Sequence, residues 1–508
     1  MKTKTYVALC AAALVLGSCS KEESPVLSPT LESQQDPLTH REIDQKIDGL
    51  IAEKGIFEWH MVDDHTLWSA LVISDSLLSV GYGKDSGHFS KQADKTASNQ
   101  IKDDLLSIID HNQGANDGKS TVSSLVYDDE VLTHMDVKVY GMETISALRG
   151  QRGVRFMEPI GYQYGGLEPQ VGPHEKSSSG SGCGFESATL HSGDYSTISP
   201  GAKVPWAFYI HNIPQAWSHS TGSGIGIGII DTGISPRQSL LNGNFNDGHS
   251  SGRYVRKYGT FVDSWWPWSK KTDGPHDKCG HGTSMAAVAT SPRNNDGQPV
   301  GVAYNANLIS YRAAKNVVLD SYHEQKGTAN ALVALGKRSD VKIISMSMGH
   351  IFSVGRIKDA VRYAHNRGKL IFAAAGTSTS FTNWAGVVFP AWMSETVAVT
   401  GVNDRSSYQE CNTCHTGSEV DFTVVMQRNG NTARTIPVLS YYNGQKDYVG
   451  GSSVATATAA GIAALVWARH PSWSRAQVLQ KLKQSSDFYP NKHSRYGHGN
   501  IDALQAVQ

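Results

Sequence analysis

Residues 225–233 read Ile-Gly-Ile-Gly-Ile-Ile-Asp-Thr-Gly, an apolar run that stops abruptly at a carboxylate and a glycine turn. A run this short and this apolar, bounded by turn residues, predicts a strand buried on both faces. The same signature returns at 342–348, 370–375 and 397–402, with helical patterns between, as at 355–367, closed by Gly368. Strands of that kind separated by helices predict an α/β domain over residues 201–508, a doubly wound parallel sheet with helices on both faces. In such sheets functional side chains gather at the carboxyl ends of the strands. Asp231, which ends the first run, is therefore a candidate catalytic carboxylate; a helix cap or turn residue is the other reading.

Two further blocks have chemical content. Residues 280–287 read Gly-His-Gly-Thr-Ser-Met-Ala-Ala, so His281 opens a small-residue apolar helix. Residues 450–461 read Gly-Gly-Ser-Ser-Val-Ala-Thr-Ala-Thr-Ala-Ala-Gly and run into an apolar helix. A serine at a buried helix N-terminus meets free backbone N–H groups and the positive end of the helix dipole, which suits a developing oxyanion. Taken singly, His281 reads as a structural histidine and Ser453 as an N-cap. Taken together, Asp, His and Ser, each in a glycine-flanked strand–helix junction, follow one of the known chain orders of a nucleophile–base–orienter triad.

On these blocks, and on the closing stretch Tyr496-Gly-His-Gly-Asn-Ile501, residues 201–508 resemble the subtilisin-like serine proteases. The resemblance implies that Ser453 attacks the scissile carbonyl, His281 relays its proton and Asp231 orients the imidazole. It implies that Ser347, Met348 and Gly349, within Ser345-Met-Ser-Met-Gly349, form the edge on which a peptide is laid by strand addition. It also implies that the Ser453 N–H is one oxyanion donor. Three positions depart from the family pattern. Thr377 follows Ala373-Ala-Ala-Gly376 where an asparagine amide usually completes the oxyanion hole, Ala457 replaces a proline, and His350 replaces a second edge glycine. Losing one oxyanion donor typically lowers turnover about 10²–10³-fold, so Thr377 implies a slow enzyme. The alternative is a catalytically weak or inactive surface binding protein on the same fold.

The chain upstream divides by composition. Lys2 and Lys4 precede an apolar run that ends in Leu16-Gly-Ser-Cys19, so residues 1–19 read as a signal peptide. That ending resembles a bacterial lipobox, which implies lipidation of Cys19, attachment of a soluble domain to a membrane, and a place in the cell envelope: outer membrane, periplasmic or surface-exposed. Residues 20–40 read as a tether. Residues 41–165 mix alternating apolar segments (68–73, 137–140) with polar helical stretches such as 98–111, a small α+β module. Its segments 136–140, 145–148 and 153–158 resemble the end of a subtilase propeptide, which implies a zymogen. Residues 166–200, rich in glycine and serine, read as an exposed linker of the kind in which nicking concentrates, and would carry the processing site.

Composition bounds the rest. The 508 residues carry 46 Lys+Arg against 46 Asp+Glu, so no basic excess points to nucleic acid. With 18% charged residues, 39% hydrophobic and 50 glycines, the chain is globular rather than disordered or coiled-coil. Beyond residue 20 no apolar run reaches the roughly 18 residues of a membrane span. Cys411-Asn-Thr-Cys414-His415 fits c-type haem attachment, against a local disulfide or free thiols. Cys279, two residues before His281, is either a free thiol or half of a disulfide. Asn295 and Asp296, in the turn after the histidine helix, are oxygen ligands of the type calcium takes, with a metal-free turn as the other reading. Trp265, Trp266 and Trp268 are candidate substrate or lip aromatics. The chemistry implied by the resemblance needs no cofactor, and the partner is a protein or peptide substrate.

Overall fold

A computed structural model describes residues 36–84, 92–117, 124–165, 182–264, 266–377 and 386–508. The four apolar runs become strands β7 (Gly226–Asp231), β10 (Val341–Met346), β11 (Leu370–Ala374) and β12 (Val397–Asn403); β8 (Val255–Gly259), β9 (Asn307–Arg312) and β13 (Phe422–Gln427), which the sequence pattern does not mark, complete the sheet, and elements are numbered in chain order throughout. They form a seven-stranded sheet in the order β13-β12-β11-β10-β7-β9-β8, every pair parallel. One face packs against α7 (His281–Thr290) and α10 (Gly451–Arg469), the other against α8 (Tyr322–Lys337) and α9 (Gly355–Asn366). This is the expected doubly wound arrangement. Helix α10 is apolar on all sides because it lies within the core, against β10–β13 and α7. The register places Asp231 opposite Arg312, at the carboxyl edge of the sheet.

Residues 40–159 fold as α1 (His40–Lys54), α2 (Asp64–Ile73), β1 (Leu77–Tyr82), α3 (Gln92–Asp117), β2 (Leu125–Asp129), β3 (His134–Lys138), α4 (Met142–Arg149) and β4 (Val154–Pro159). The strands make an antiparallel sheet in the order β2-β3-β1-β4. Helix α1 opens with a full capping box, Thr39 with Glu42, an arrangement worth about 1 kcal/mol. The alternating segment 68–73 is not a strand but the second half of α2. Asp63 caps that helix by accepting from Thr66 N at 2.7 Å, and the apolar residues that follow pack as helix rather than edge.

This module docks on α8 and α9. Asp136 and Arg356 form a buried ion pair, with Asp136 also accepting from Tyr322 Oη at 2.9 Å. Arg155 pairs with Asp359 at 2.5 Å, Lys358 with Glu58 at 2.7 Å, and Glu158 accepts from the first N–H of α9, Gly355, at 2.7 Å. Phe352 completes the module's apolar core, meeting Phe57 and Tyr164 edge-on.

Part of the predicted linker, 166–181, lies outside the described residues. From Gly182 onward the chain already lies against the sheet domain. Strands β5 (Tyr195–Ile198) and β6 (Ala202–Pro205) pair antiparallel, followed by α5 (Trp206–Ile210) and α6 (Ile213–Ala216). The hairpin β14 (Ile436–Leu439) and β15 (Lys446–Val449) leads into α10, and α11 (Arg475–Gln484) and α12 (Ala503–Val507) close the chain.

Candidate active site

Asp231 and His281 meet where β7 ends and α7 begins. Asp231 Oδ1 accepts from His281 Nδ1 at 2.8 Å, and from Thr232 N at 2.8 Å. The two side chains are 0% and 7% exposed. Burial alone lowers a histidine pKa, but the adjacent Asp231 carboxylate outweighs it and holds His281 above its ordinary value. A base with that proton affinity, its Nδ1 proton fixed on a carboxylate, presents Nε2 as the acceptor.

The loop before α7 sets this geometry. Asp277 accepts from Gly280 N at 2.8 Å, Cys279 N at 2.8 Å, Thr283 N at 3.0 Å and Thr232 Oγ1 at 2.9 Å. Thr232 Oγ1 in turn accepts from Gly282 N at 2.9 Å. A Cβ on Gly282 would stand 2.4 Å from Gly233 O, so only glycine lets the β7 turn and the start of α7 approach this closely. Burial pushes the Asp277 carboxyl above its usual range despite these donors. Asp277 and Thr232 escaped the sequence reading, although Asp277 sits four residues before His281 and Thr232 lies inside the Asp-Thr-Gly block.

Ser453 is the third residue of α10, in the first turn, where N–H groups have no helical partner. Helix α10 packs beside α7, so His281 and Ser453 open neighbouring helices. Ser453 is half-buried, and its carbonyl accepts from Ser347 Oγ at 3.0 Å. Among the described residues no hydrogen bond joins Ser453 Oγ to His281; such contacts often tighten only when substrate is bound. Gly451 turns the chain into α10 at φ +84°, a conformation natural to glycine.

The candidate oxyanion residue faces the helix start. Thr377 Oγ1 accepts from Ser452 N at 3.2 Å and lies 3.0 Å from Ser452 Oγ, which accepts from Gly376 N at 3.2 Å. The threonine hydroxyl is thus engaged by Ser452, the residue before Ser453. Ser452 was not singled out from sequence, and His415 only as part of the haem-attachment pattern; its Nδ1 lies 2.8 Å from Gly386 O, beneath Gly376.

Along the expected substrate edge, Ser347 leads from β10 toward Ser453, and both Ser347 and Met348 are buried. Both backbone groups of Gly349 are already bonded: its N–H donates to Val317 O at 3.0 Å, and its carbonyl accepts from Leu319 N at 3.0 Å. His350 exchanges two backbone bonds with Phe389. The edge is therefore self-paired beyond Met348.

The remaining candidates resolve plainly. Cys411 and Cys414 are disulfide-bonded to each other, so they do not hold haem, and Cys183 is bonded to Cys279. In the Asn295–Asp296 turn, Asp296 Oδ1 accepts from Gln298 N at 3.0 Å, and the Lys203 ammonium donates to Gly297 O. No cluster of three or more His, Cys, Asp or Glu side chains occurs among the described residues. Trp266 and Trp268 stack 4.9 Å apart on the surface, while Trp265 lies outside the described residues.

A model described as the Subtilase family matches residues 222–499. Subtilisin E of Bacillus subtilis (strain 168) is 31% identical over 309 residues, which span 60% of this chain and 71% of that protein. Thermitase of Thermoactinomyces vulgaris is 27% identical over 296 residues, 58% of this chain and 92% of its own length. Among solved structures, MycP1 with its N-terminal propeptide removed aligns at a TM-score of 0.47 and 24% identity, over 60% of this chain and 98% of that one.

Proposed function

This chain belongs to the subtilase family and is a serine-type endopeptidase, and from that premise we propose that Ser453, His281 and Asp231 are its catalytic residues. The observation that carries the assignment is the buried 2.8 Å bond between His281 and Asp231 beside the helix start that bears Ser453. Ser453 Oγ attacks the scissile carbonyl while His281 Nε2 takes its proton. His281 returns that proton to the leaving amine, and water then releases the acyl group by the same relay. Asp231 holds the imidazole tautomer and stabilises the imidazolium. The Ser453 N–H receives the oxyanion. Thr377, whose hydroxyl is engaged by Ser452, contributes little, so turnover is slow for the family. Ser347 and Met348 carry the peptide backbone nearest the scissile bond.

The enzyme is made as a zymogen: residues 41–165 are the propeptide and processing falls between about residues 160 and 200. The signal is cut away between Ser18 and Cys19, and lipid on Cys19, the new N-terminus, anchors the protein in the cell envelope. Expression without residues 1–19, comparing wild type with Ser453→Ala, tests the core of this reading by intact mass and a fluorophosphonate probe. Wild type is expected to be shortened and labelled, and the alanine variant neither. A folded wild type that stays full length, and stays unlabelled after its N-terminal domain is cut away, overturns the reading.

A further inference from the structure

The second half of the predicted processing region is bonded to the loop that precedes His281. Cys183 forms a disulfide with Cys279, two residues before His281, and Gly184 N donates to Cys279 O at 2.9 Å. Gly182 fills the crevice between the base and the self-paired edge. A Cβ there would lie 3.4 Å from His281 Cδ2 and 3.0 Å from Val317 Cγ1, and Val317 is the residue that takes the Gly349 N–H. Downstream, Phe185 meets Tyr441 edge-on at 4.6 Å, and Tyr441 Oη donates to Asp277 O at 2.9 Å. The strap is then fastened to the enzyme body: Ala188 N donates to Lys446 O at 2.8 Å, and buried Asp194 accepts from Arg434 at 2.5 Å and from Tyr448 Oη at 2.6 Å.

A cut on the N-terminal side of Cys183 therefore severs the chain to the N-terminal domain but leaves Cys183–Phe185 in place beside the loop that carries His281. We propose that the Cys183–Cys279 disulfide is a thiol-responsive latch that keeps this strap over the catalytic histidine, so that full activity requires both cleavage and reduction. The inference rests on the assignment of His281 as the base. The two sulfurs differ in access: Cys183 is half-exposed, whereas Cys279 is 1% exposed. A thiolate of an external dithiol attacks Cys183 Sγ, the S–S bond breaks, and Cys279 leaves as a thiolate that takes up a proton. The second sulfur of the dithiol then displaces Cys183, which leaves as a thiolate and is protonated. The protein gains two electrons and two protons, and the dithiol closes into its own disulfide.

The experiment uses the full chain from residue 20, self-processed, with dithiothreitol as the dithiol and an internally quenched peptide as substrate. Reduction is expected to raise kcat/KM at least about tenfold. Cys183→Ser is expected to match the reduced wild type and to ignore dithiothreitol. The Cys411→Ser/Cys414→Ser variant should respond as wild type does, which assigns the effect to the other bond. A second readout is independent of catalysis: deuterium uptake in peptides covering 183–190 and 276–283 of the Ser453→Ala chain should rise on reduction. Uptake that rises while no variant hydrolyses peptide keeps the latch and removes the protease assignment. Unchanged uptake with all thiols free by mass, or a reduced enzyme no faster than the oxidised one beside an active Cys183→Ser that is equally slow, overturns the latch.

Discussion

Neutralising Asp136 should loosen the N-terminal domain far more than removing a surface charge would. Its side chain is 0% exposed and its partner Arg356 is 2% exposed. Burial opposes the guanidinium charge, but Asp136, with the Tyr322 and Tyr127 hydroxyls near it, holds the Arg356 pKa above its usual value. Arg356 also donates to Ser79 Oγ at 3.2 Å, while its Nη1 has no partner among the described residues. In Asp136→Asn the amide keeps the volume but not the charge, leaving a buried cation uncompensated, which costs about 3–5 kcal/mol. At about 1.4 kcal/mol per decade, that shifts the docking equilibrium by two to nearly four decades. Arg356→Met strands the carboxylate and is similarly harmful. The pair Asp136→Asn/Arg356→Met removes both charges, so it should be less harmful than the two single changes summed by at least about 2 kcal/mol, since replacing both partners of a buried pair is often near neutral. Urea unfolding of the three variants in the Ser453→Ala full chain, followed by near-UV circular dichroism, gives the four corners of the cycle. A coupling below about 0.5 kcal/mol, or a single Asp136→Asn cost below about 1 kcal/mol, would refute the argument that this pair holds the interface.

Two further outcomes follow from the same geometry. His134 is 1% exposed, both its ring nitrogens lack partners among the described residues, and burial with Arg356, Arg155 and Lys326 nearby holds its pKa well below the ordinary value. The folded state therefore keeps it neutral while the unfolded state protonates below about 6.5, so stability is lost as pH falls, by roughly 1.4 kcal/mol per unit. Glu158, raised by burial to about 7, acts in the opposite sense and gains stability over the same range. The readout is thus a difference: His134→Gln should improve relative to wild type by roughly 2 kcal/mol between pH 7 and pH 5, and a flat difference removes His134 as the cause. At the oxyanion side, Thr377→Val should change kcat by less than about tenfold, because the hydroxyl is committed to Ser452; a loss of 10²–10³ would identify it as a donor after all.

Strands β7, β10, β11 and β12 were legible because each is a self-contained apolar run, and buried parallel strands need no partner information to be recognised; β9, Asn-Leu-Ile-Ser-Tyr-Arg, was not, because polar residues interrupt it. The three proposed catalytic blocks stood out for a related reason: each concentrates its glycines and a polar side chain within a few residues at one strand–helix junction. What the sequence could not carry were contacts across long loops. The Cys183–Cys279 bond closes a separation of 96 residues through a stretch without apolar periodicity, so nothing local distinguished it from free thiols. The helix over 64–73 was obscured because its buried polar residues, Thr66 and Ser69, break the amphipathic pattern that marks a helix. The self-pairing of Gly349 was hidden too, since backbone groups leave no trace in residue identity.

One short loop, 277–281, joins the chemistry to its restraint. Asp277 fixes the start of α7 through Gly280 and Thr283, and therefore fixes the ring of His281 against Asp231. The next residues but one take the strap: Cys279 by its sulfur and its carbonyl, and Asp277 O through Tyr441, on which Phe185 rests. A loop held at so many points has little freedom to yield, so displacement of the strap must come from breaking its own anchors rather than from bending the loop. Asp194, with Arg434 and Tyr448, holds only the far end of the strap; of the anchors nearer His281, the hydrogen bonds of Gly184 and Ala188 each contribute on the order of 1 kcal/mol and open thermally, whereas the disulfide opens only by exchange with another thiol. Access to His281 is on this account decided by one covalent bond whose exposed end is Cys183, which places control of the enzyme in the thiol balance of its compartment rather than in the concentration of substrate.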